Sequence, residues 1–180
     1  LDEGLDFGRM AINLSPAEIR RGRVVERLTA ILARTGLPPE RLEIEITESG
    51  LMESGAGVEQ FLQNLHAMGV HLSIDDFGTG YSSLAYLKRL PVQKLKIDRT
   101  FVSAMPSNFS DAMIVQSTVA LGHNFGMQVV AEGVEDAATA EALERLGCDI
   151  AQGYYFSRPM SADQVTTWRL QRQLEALDIG

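Results

Sequence analysis

Apolar residues along this chain fall alternately into short runs and into stripes at helical spacing. Short runs bounded by turn residues read as buried strands, and i, i+3, i+4 stripes read as amphipathic helices. Residues 10–14 form a first strand, interrupted by the polar Asn13. Ser15, Pro16 and Glu18 then spell a capping box with proline at the first helical position. Gly22 separates that turn from a longer helix striped by Val24, Val25, Leu28, Ile31 and Leu32, which Gly36 ends. Pro38-Pro39 marks a turn. Leu42-Glu43-Ile44-Glu45-Ile46-Thr47-Glu48 alternates with period two, as a strand does, and sets Glu43, Glu45 and Thr47 on one face. Val58, Phe61, Leu62 and Leu65 stripe a second helix that stops at Gly69.

Leu72-Ser73-Ile74-Asp75-Asp76-Phe77-Gly78-Thr79-Gly80 reads as a strand ending in two adjacent carboxylates and a glycine-rich loop. Ser82-Ser83 starts a short helix closed by Pro91. Lys94-Leu95-Lys96-Ile97-Asp98 is the next strand, with Lys94, Lys96 and Asp98 on one side. A brief turn or helix covers 101–105, and Ser110 is expected to cap a helix bearing Met113, Ile114, Ser117 and Leu121. Residues 127–132 form a buried strand ending in Glu132. Asp136 caps a helix with Leu143 and Leu146 inward. Residues 148–156 read as the last strand, and Ser161 opens a final helix with Val165, Trp168 and Leu174. About six strands recur at intervals of roughly 20–35 residues, which means βα units building a parallel sheet or barrel.

Composition narrows the class. With 180 residues, 45% of them hydrophobic, the chain can bury the core of one globular domain. No apolar run approaches the roughly 20 residues of a membrane span, and the first residues lack the basic-then-apolar pattern of a signal peptide. Cys148 is the single cysteine, so no intrachain disulfide forms, which suits the cytoplasm. A net charge of −8 argues against binding DNA through its backbone. It leaves room for a small phosphate ligand, because a bound metal reverses the local field.

Polar residues gather at one place in each unit, the C-terminal end of its strand: Asn13, Glu45, Asp75, Asp76, Lys96, Glu132 and Gln152. In a (β/α)₈ barrel that end faces the active site. Each has an ordinary explanation alone: a turn amide, a solvated strand face, a solvated Asp-Asp turn, a Lys96–Asp98 pair, a satisfied backbone group. Together the acids would repel one another without a cation, and hard divalent ions take such oxygen ligands. The chemistry they suggest is two-metal hydrolysis, with Asp75 placed to bridge the ions and Lys96 adding a fixed positive charge. His66, His71 and His123 have no metal-ligand spacing and read as ordinary helix or strand-edge residues.

The runs Asn13-Leu14-Ser15, Glu45-Ile46-Thr47-Glu48-Ser49, Asp75-Asp76-Phe77-Gly78-Thr79-Gly80-Tyr81-Ser82-Ser83, Lys96-Ile97-Asp98-Arg99, Ala131-Glu132-Gly133-Val134-Glu135 and Gln152-Gly153-Tyr154-Tyr155-Phe156 span nearly the whole chain. In this order they resemble the EAL-domain family of cyclic di-GMP phosphodiesterases. The resemblance implies a modified TIM (β/α)₈ barrel with about six of its eight βα units present in this chain. It implies hydrolysis of cyclic di-GMP to linear pGpG with two divalent cations, Mg²⁺ or Mn²⁺, and inhibition by Ca²⁺. Asn13, Glu45 and Asp75 match the ligands of one metal; Asp75, Asp76 and Glu132 match those of the second. Glu132 also matches a general base, and Lys96 the lysine that holds the nucleophilic water. Gln152 and Glu135 match polar residues around the site. Glu48 matches the anchor of the loop formed by Phe77, Gly78, Thr79, Gly80, Tyr81, Ser82 and Ser83.

The family's Glu-Ala-Leu motif and first barrel strands have no counterpart here. Residues 1–180 are therefore expected to be the C-terminal three quarters of an EAL domain. The resemblance places sensory or GGDEF domains upstream and implies a homodimer through the helices after the glycine loop. Two other readings remain: a catalytically inactive cyclic di-GMP sensor or partner-docking module, and a different metal-dependent hydrolase on the same kind of barrel.

Overall fold

The computed structural model describes residues 8–55, 57–80 and 84–177. Six strands, β1 (Met10–Asn13), β2 (Leu42–Thr47), β3 (His71–Phe77), β4 (Lys94–Ile97), β5 (Gln128–Ala131) and β6 (Ile150–Ala151), pair in sequence order, all parallel. Parallel neighbours need a crossover, and helices supply it. These are α1 (Pro16–Arg21), α2 (Val24–Thr35), α3 (Glu48–Glu53), α4 (Val58–Ala67), α5 (Leu84–Leu87), α6 (Arg99–Ala104), α7 (Phe109–Asn124), α8 (Ala137–Arg145) and α9 (Ala162–Leu177). The sheet curls into a half-barrel with the helices outside.

Strand alternation sorts the two faces. Leu42, Ile44 and Ile46 of β2, Leu72 and Ile74 of β3 and Leu95 of β4 are buried against Leu28 and Leu32 of α2, Leu62 and Leu65 of α4 and Leu87 of α5. Ile97, Val129 and Ala131 meet Val102, Val115, Val119 and Leu143 in a second cluster. The intervening positions, Glu43, Glu45, Ser73, Asp75, Lys94 and Lys96, face inward, and Glu43, Ser73, Asp75 and Lys96 are buried. A TIM barrel ordinarily fills its interior with branched apolar side chains; this one fills it with charge.

Local signals place most element ends. Ser15 and Glu18 form the capping box of α1, and Gly22 and Gly36 take left-handed conformations at the ends of α1 and α2. Asp136 caps α8 through Thr139 N at 2.7 Å.

Four expectations change. Glu48 opens α3 rather than closing the strand, because the Thr47 hydroxyl accepts from Gly50 N and caps a helix that the alternation hides. The turn or helix expected at 101–105 begins earlier, at Arg99, because the Asp98 carboxylate accepts from Thr100 N. Asn108, not Ser110, caps α7; Ser110 supplies the N–H that Asn108 accepts. The last strand is only Ile150–Ala151, because residues 152–156 turn to dock on the segment after β5. Gln152 O accepts from Val134 N, Val134 O accepts from Tyr155 N, and Phe156 N donates to Gly153 O. The helix start expected at Ser82-Ser83 lies, with Tyr81, outside the described residues, which resume with α5.

Candidate metal centre

The C-terminal ends of β2 to β5 carry the chemistry. Two adjacent strand residues normally face opposite sides, so Asp75 and Asp76 could not both enter one site on a regular strand. The β3–β4 register shifts between Ile74 and Phe77, and Asp76 has φ 53, the one positive φ outside glycine among the described residues. Aspartate tolerates this left-handed conformation better than most residues. The irregularity turns the second carboxylate toward the first, and Asp75 Oδ1 accepts from Asp76 N at 3.0 Å.

Lys96, almost fully buried, points its ammonium into the acids. Nζ lies 2.9 Å from Glu45 Oε1, 3.1 Å from Asp75 Oδ1 and 2.7 Å from Glu132 Oε1. One lysine thus pairs with carboxylates from three strand ends, hydrogen-bonding Glu132 and Glu45 and facing the Asp75 charge. Burial works against its charge, but the hydrogen bonds to Glu132 and Glu45 outweigh it and hold the pKa above the usual lysine range. Burial also raises the Glu132 carboxyl; Lys96 opposes the rise, and repulsion from Asp75 and Glu45 adds to it. Asp76 is raised by burial, then by the Asp75 charge and a hydrogen bond shared with Asp98.

Asp75, Asp76 and Glu132 each offer a ligand oxygen within 4.8 Å of the others, the one such group among the described residues. Glu45 joins them through Lys96. An all-oxygen set with more negative charge than its lysine neutralises is chemistry suited to hard divalent ions. Asn13 ends β1 in register with Glu45 but is exposed. Gln152 is exposed just past β6, lining with Glu45 and Lys96 an inner-face cavity of about 580 Å³. Glu135 is exposed in the connection to α8, outside the converging group.

Glu48 is buried beside the glycine loop, and its Oε2 accepts from Gly78 N at 2.9 Å and Gly80 N at 3.1 Å. A Cβ on Gly80 would come within 3.0 Å of that carboxylate. Phe77 is buried, and Thr79 Oγ1 donates to Asp76 O at 2.8 Å.

Two polar features escaped the sequence pattern. Asp98 faces Asp76 instead of pairing with Lys96; burial raises its carboxyl, but hydrogen bonds from Thr100 and Asp76 bring it below the ordinary value. Its position just before a helical stripe was the available signal. The second is an inward pair, Lys94 Nζ to Glu43 Oε2 at 2.6 Å, foreshadowed by two-residue spacings on β2 and β4. His66 meets Gln93, and His123 meets Asp149 away from the acids.

The EAL domain family model matches residues 2–159. The chain belongs to the EAL domain family. One curated relative of this EAL chain is the bifunctional diguanylate cyclase/cyclic di-GMP phosphodiesterase MucR of Pseudomonas aeruginosa. It is 46% identical over 165 residues, covering 92% of this chain and 24% of MucR. The solved PaMucR phosphodiesterase in complex with c-di-GMP superposes with a TM-score of 0.88 at 46% identity, covering 91% of this chain and 66% of that one. A calcium/c-di-GMP complex of Klebsiella pneumoniae BlrP1 gives 0.78 at 36% identity, covering 84% and 39%. The EAL chain spans about a quarter of the length of the first curated relatives it matches. Among its described residues, no helix is long and apolar enough to cross a membrane.

Proposed function

We propose that this chain is part of a metal-dependent phosphodiesterase that hydrolyses cyclic di-GMP to linear pGpG. The observation that carries the reading is the convergence of Asp75, Asp76 and Glu132 within 4.8 Å beside a lysine that also holds Glu45. Family membership, and the relatives' structures with c-di-GMP and calcium or manganese, supply the substrate class and the kind of ion.

In this reading Asp75, Asp76 and Glu132 would hold one divalent cation, and Asn13, Glu45 and Asp75 would hold the other. Mg²⁺ or Mn²⁺ supports turnover and Ca²⁺ inhibits it. When bound, the ions supply a water of lowered pKa and neutralise charge on the phosphate. Lys96 Nζ, its charge favoured by the surrounding acids, would orient a donor toward the attacking water or a phosphate oxygen. Glu132, facing the same site, would take the proton from the attacking water. The water oxygen bonds to phosphorus, one ribose P–O ester bond breaks, and the leaving ribose oxygen takes a proton from solvent to become a free hydroxyl. Gln152 and Glu135 complete the polar surround, and Glu48 tethers the 77–83 loop. A homodimer, upstream sensory or GGDEF domains and a cytoplasmic location belong to the same proposal.

The test incubates the full-length protein with cyclic di-GMP in Mg²⁺, Mn²⁺ or Ca²⁺ and follows pGpG. Turnover in the first two, none in Ca²⁺, and loss of turnover on Asp75→Asn are expected. Binding without turnover in Mg²⁺ would assign a sensor instead, and neither binding nor turnover would end the reading.

A further inference from the structure

β2 sends Glu43 and Glu45 inward and β4 sends Lys94 and Lys96, each pair at two-residue spacing. They join in two rungs: Lys96 to Glu45 at 2.9 Å and Lys94 to Glu43 at 2.6 Å. Both rungs pass over β3, where Ser73 is in register with Glu45 on one side and Lys94 on the other. Its small side chain lets the longer ones cross. The upper rung belongs to the site already described. The lower rung lies outside the converging group, yet Glu43 and Lys94 keep only 3% and 16% side-chain exposure. The attraction within a buried ion pair roughly balances the desolvation of its members, so stability alone explains it poorly.

Register supplies a better account. Lys94 stands level with Ser73, and Ser73 stands level with Glu45. The carboxylate straight across from Lys94 is therefore Glu45, and Glu43 lies one inward position lower, about 6.6 Å along the strand. A flexible four-carbon stem can reach either. If Lys94 joined Lys96 on Glu45, two ammonium groups would occupy the oxygens that a divalent cation needs. We propose that Glu43 is a positioning residue for metal binding: it draws Lys94 down to the lower rung and leaves Glu45 open to a cation. This rests on the reading of Glu45 as a metal ligand.

The experiment is a double-mutant cycle on the full-length protein, reading Mn²⁺ affinity by calorimetry without substrate, with thermal melting to verify folding. Glu43→Gln should weaken Mn²⁺ binding about tenfold, the low end of what residues supporting a metal ligand typically contribute. In a Glu45→Gln background the same change should cost less than twofold, because Lys94 then has no ligand to take. Glu43→Gln/Lys94→Met should bind Mn²⁺ as wild type does, and it serves as the test if the single variant fails to fold. Equal losses in both backgrounds would reveal a simple field effect and overturn the proposal. So would wild-type affinity in Glu43→Gln, or weakened binding in Glu43→Gln/Lys94→Met. Unchanged affinity in Glu45→Gln alone would instead remove Glu45 from the metal site and take the proposal with it.

Discussion

Asp76 holds a backbone conformation that costs most residues of order 1–3 kcal/mol, and it does so next to another carboxylate. Its raised pKa records the repulsion: burial comes first, then Asp75 and the bond shared with Asp98. A carboxyl raised on folding binds more protons in the native state than in the unfolded one. The metal-free protein therefore loses stability as pH climbs from the ordinary value, 3.8 for Asp76 and 4.5 for Glu132, through the raised native values. Asp98 works in the opposite sense, its contribution being lost as pH falls from 3.8 through its lowered native value. Asp76→Asn keeps the left-handed tolerance and removes the charge. The variant should melt above wild type at neutral pH without metal, show a flatter stability profile above about pH 4, and bind Mn²⁺ at least tenfold more weakly. Melting curves across pH with a Mn²⁺ titration check this; a melting point below wild type at neutral pH would show that the charge is not a burden. The pairing of acids in one site was legible in their recurrence at strand ends. The means was not, because strict alternation predicts that Asp75 and Asp76 diverge, and only the register shift shows otherwise.

Between elements, the segment after β6 meets the segment after β5 backbone to backbone. A Cβ on Gly153 would sit 2.1 Å from Val134 O and 2.3 Å from Val134 N. The close approach positions Gln152 beside the turn that follows Glu132. Gly153→Ala must push these segments apart, as overpacking does, at a cost of about 1–3 kcal/mol. The expected result is a lower midpoint in urea and faster hydrogen exchange at the Val134 and Tyr155 amides, whose bonds cross this contact. Exchange at wild-type rates would show that the contact has slack. Six strands were legible because their outward faces are continuous aliphatic rows in residues such as Ile44, Ile74 and Leu95. The helix at Glu48 was hidden, since Ile-Thr-Glu extends the alternation without a break and only the Thr47 side chain reveals the turn. The length of β6 was overestimated for a similar reason: Tyr154, Tyr155 and Phe156 favour strands by propensity, but their backbone donors are used in a turn.

Across the whole molecule, the interior holds more carboxylate than its lysines offset, within a chain whose net charge is −8. A divalent ion that binds only the folded form stabilises it by mass action, about 2.7 kcal/mol at a hundredfold excess over Kd. Removing metal with EDTA should therefore lower the melting temperature by several degrees, and Mn²⁺, Mg²⁺ or Ca²⁺ should each restore it, although the last is expected to block turnover. Differential scanning calorimetry decides this, and a melting point indifferent to all three ions would count against any cation among these acids. The parallel architecture was legible from the regular βα rhythm. The polar filling of its interior was only half legible: Glu43 and Lys94 showed the correct faces, but pairing across an intervening strand depends on register, which a single strand's sequence does not state.

The strands lie in the sheet in the order in which a ribosome makes them, each bonded to the one before. During synthesis each strand after β1 is therefore made after the strand it bonds to. The converging acids do not accumulate so evenly. Asp75 and Asp76 emerge together, but Glu132, which completes the converging trio, emerges more than fifty residues later. Until then the nascent β3 carries two adjacent acids without their third partner and, before residue 96, without the lysine. In the proposed assignment, the Asn13, Glu45 and Asp75 set is complete once β3 has been made while the trio waits for Glu132, so the two cations would enter at different stages of assembly.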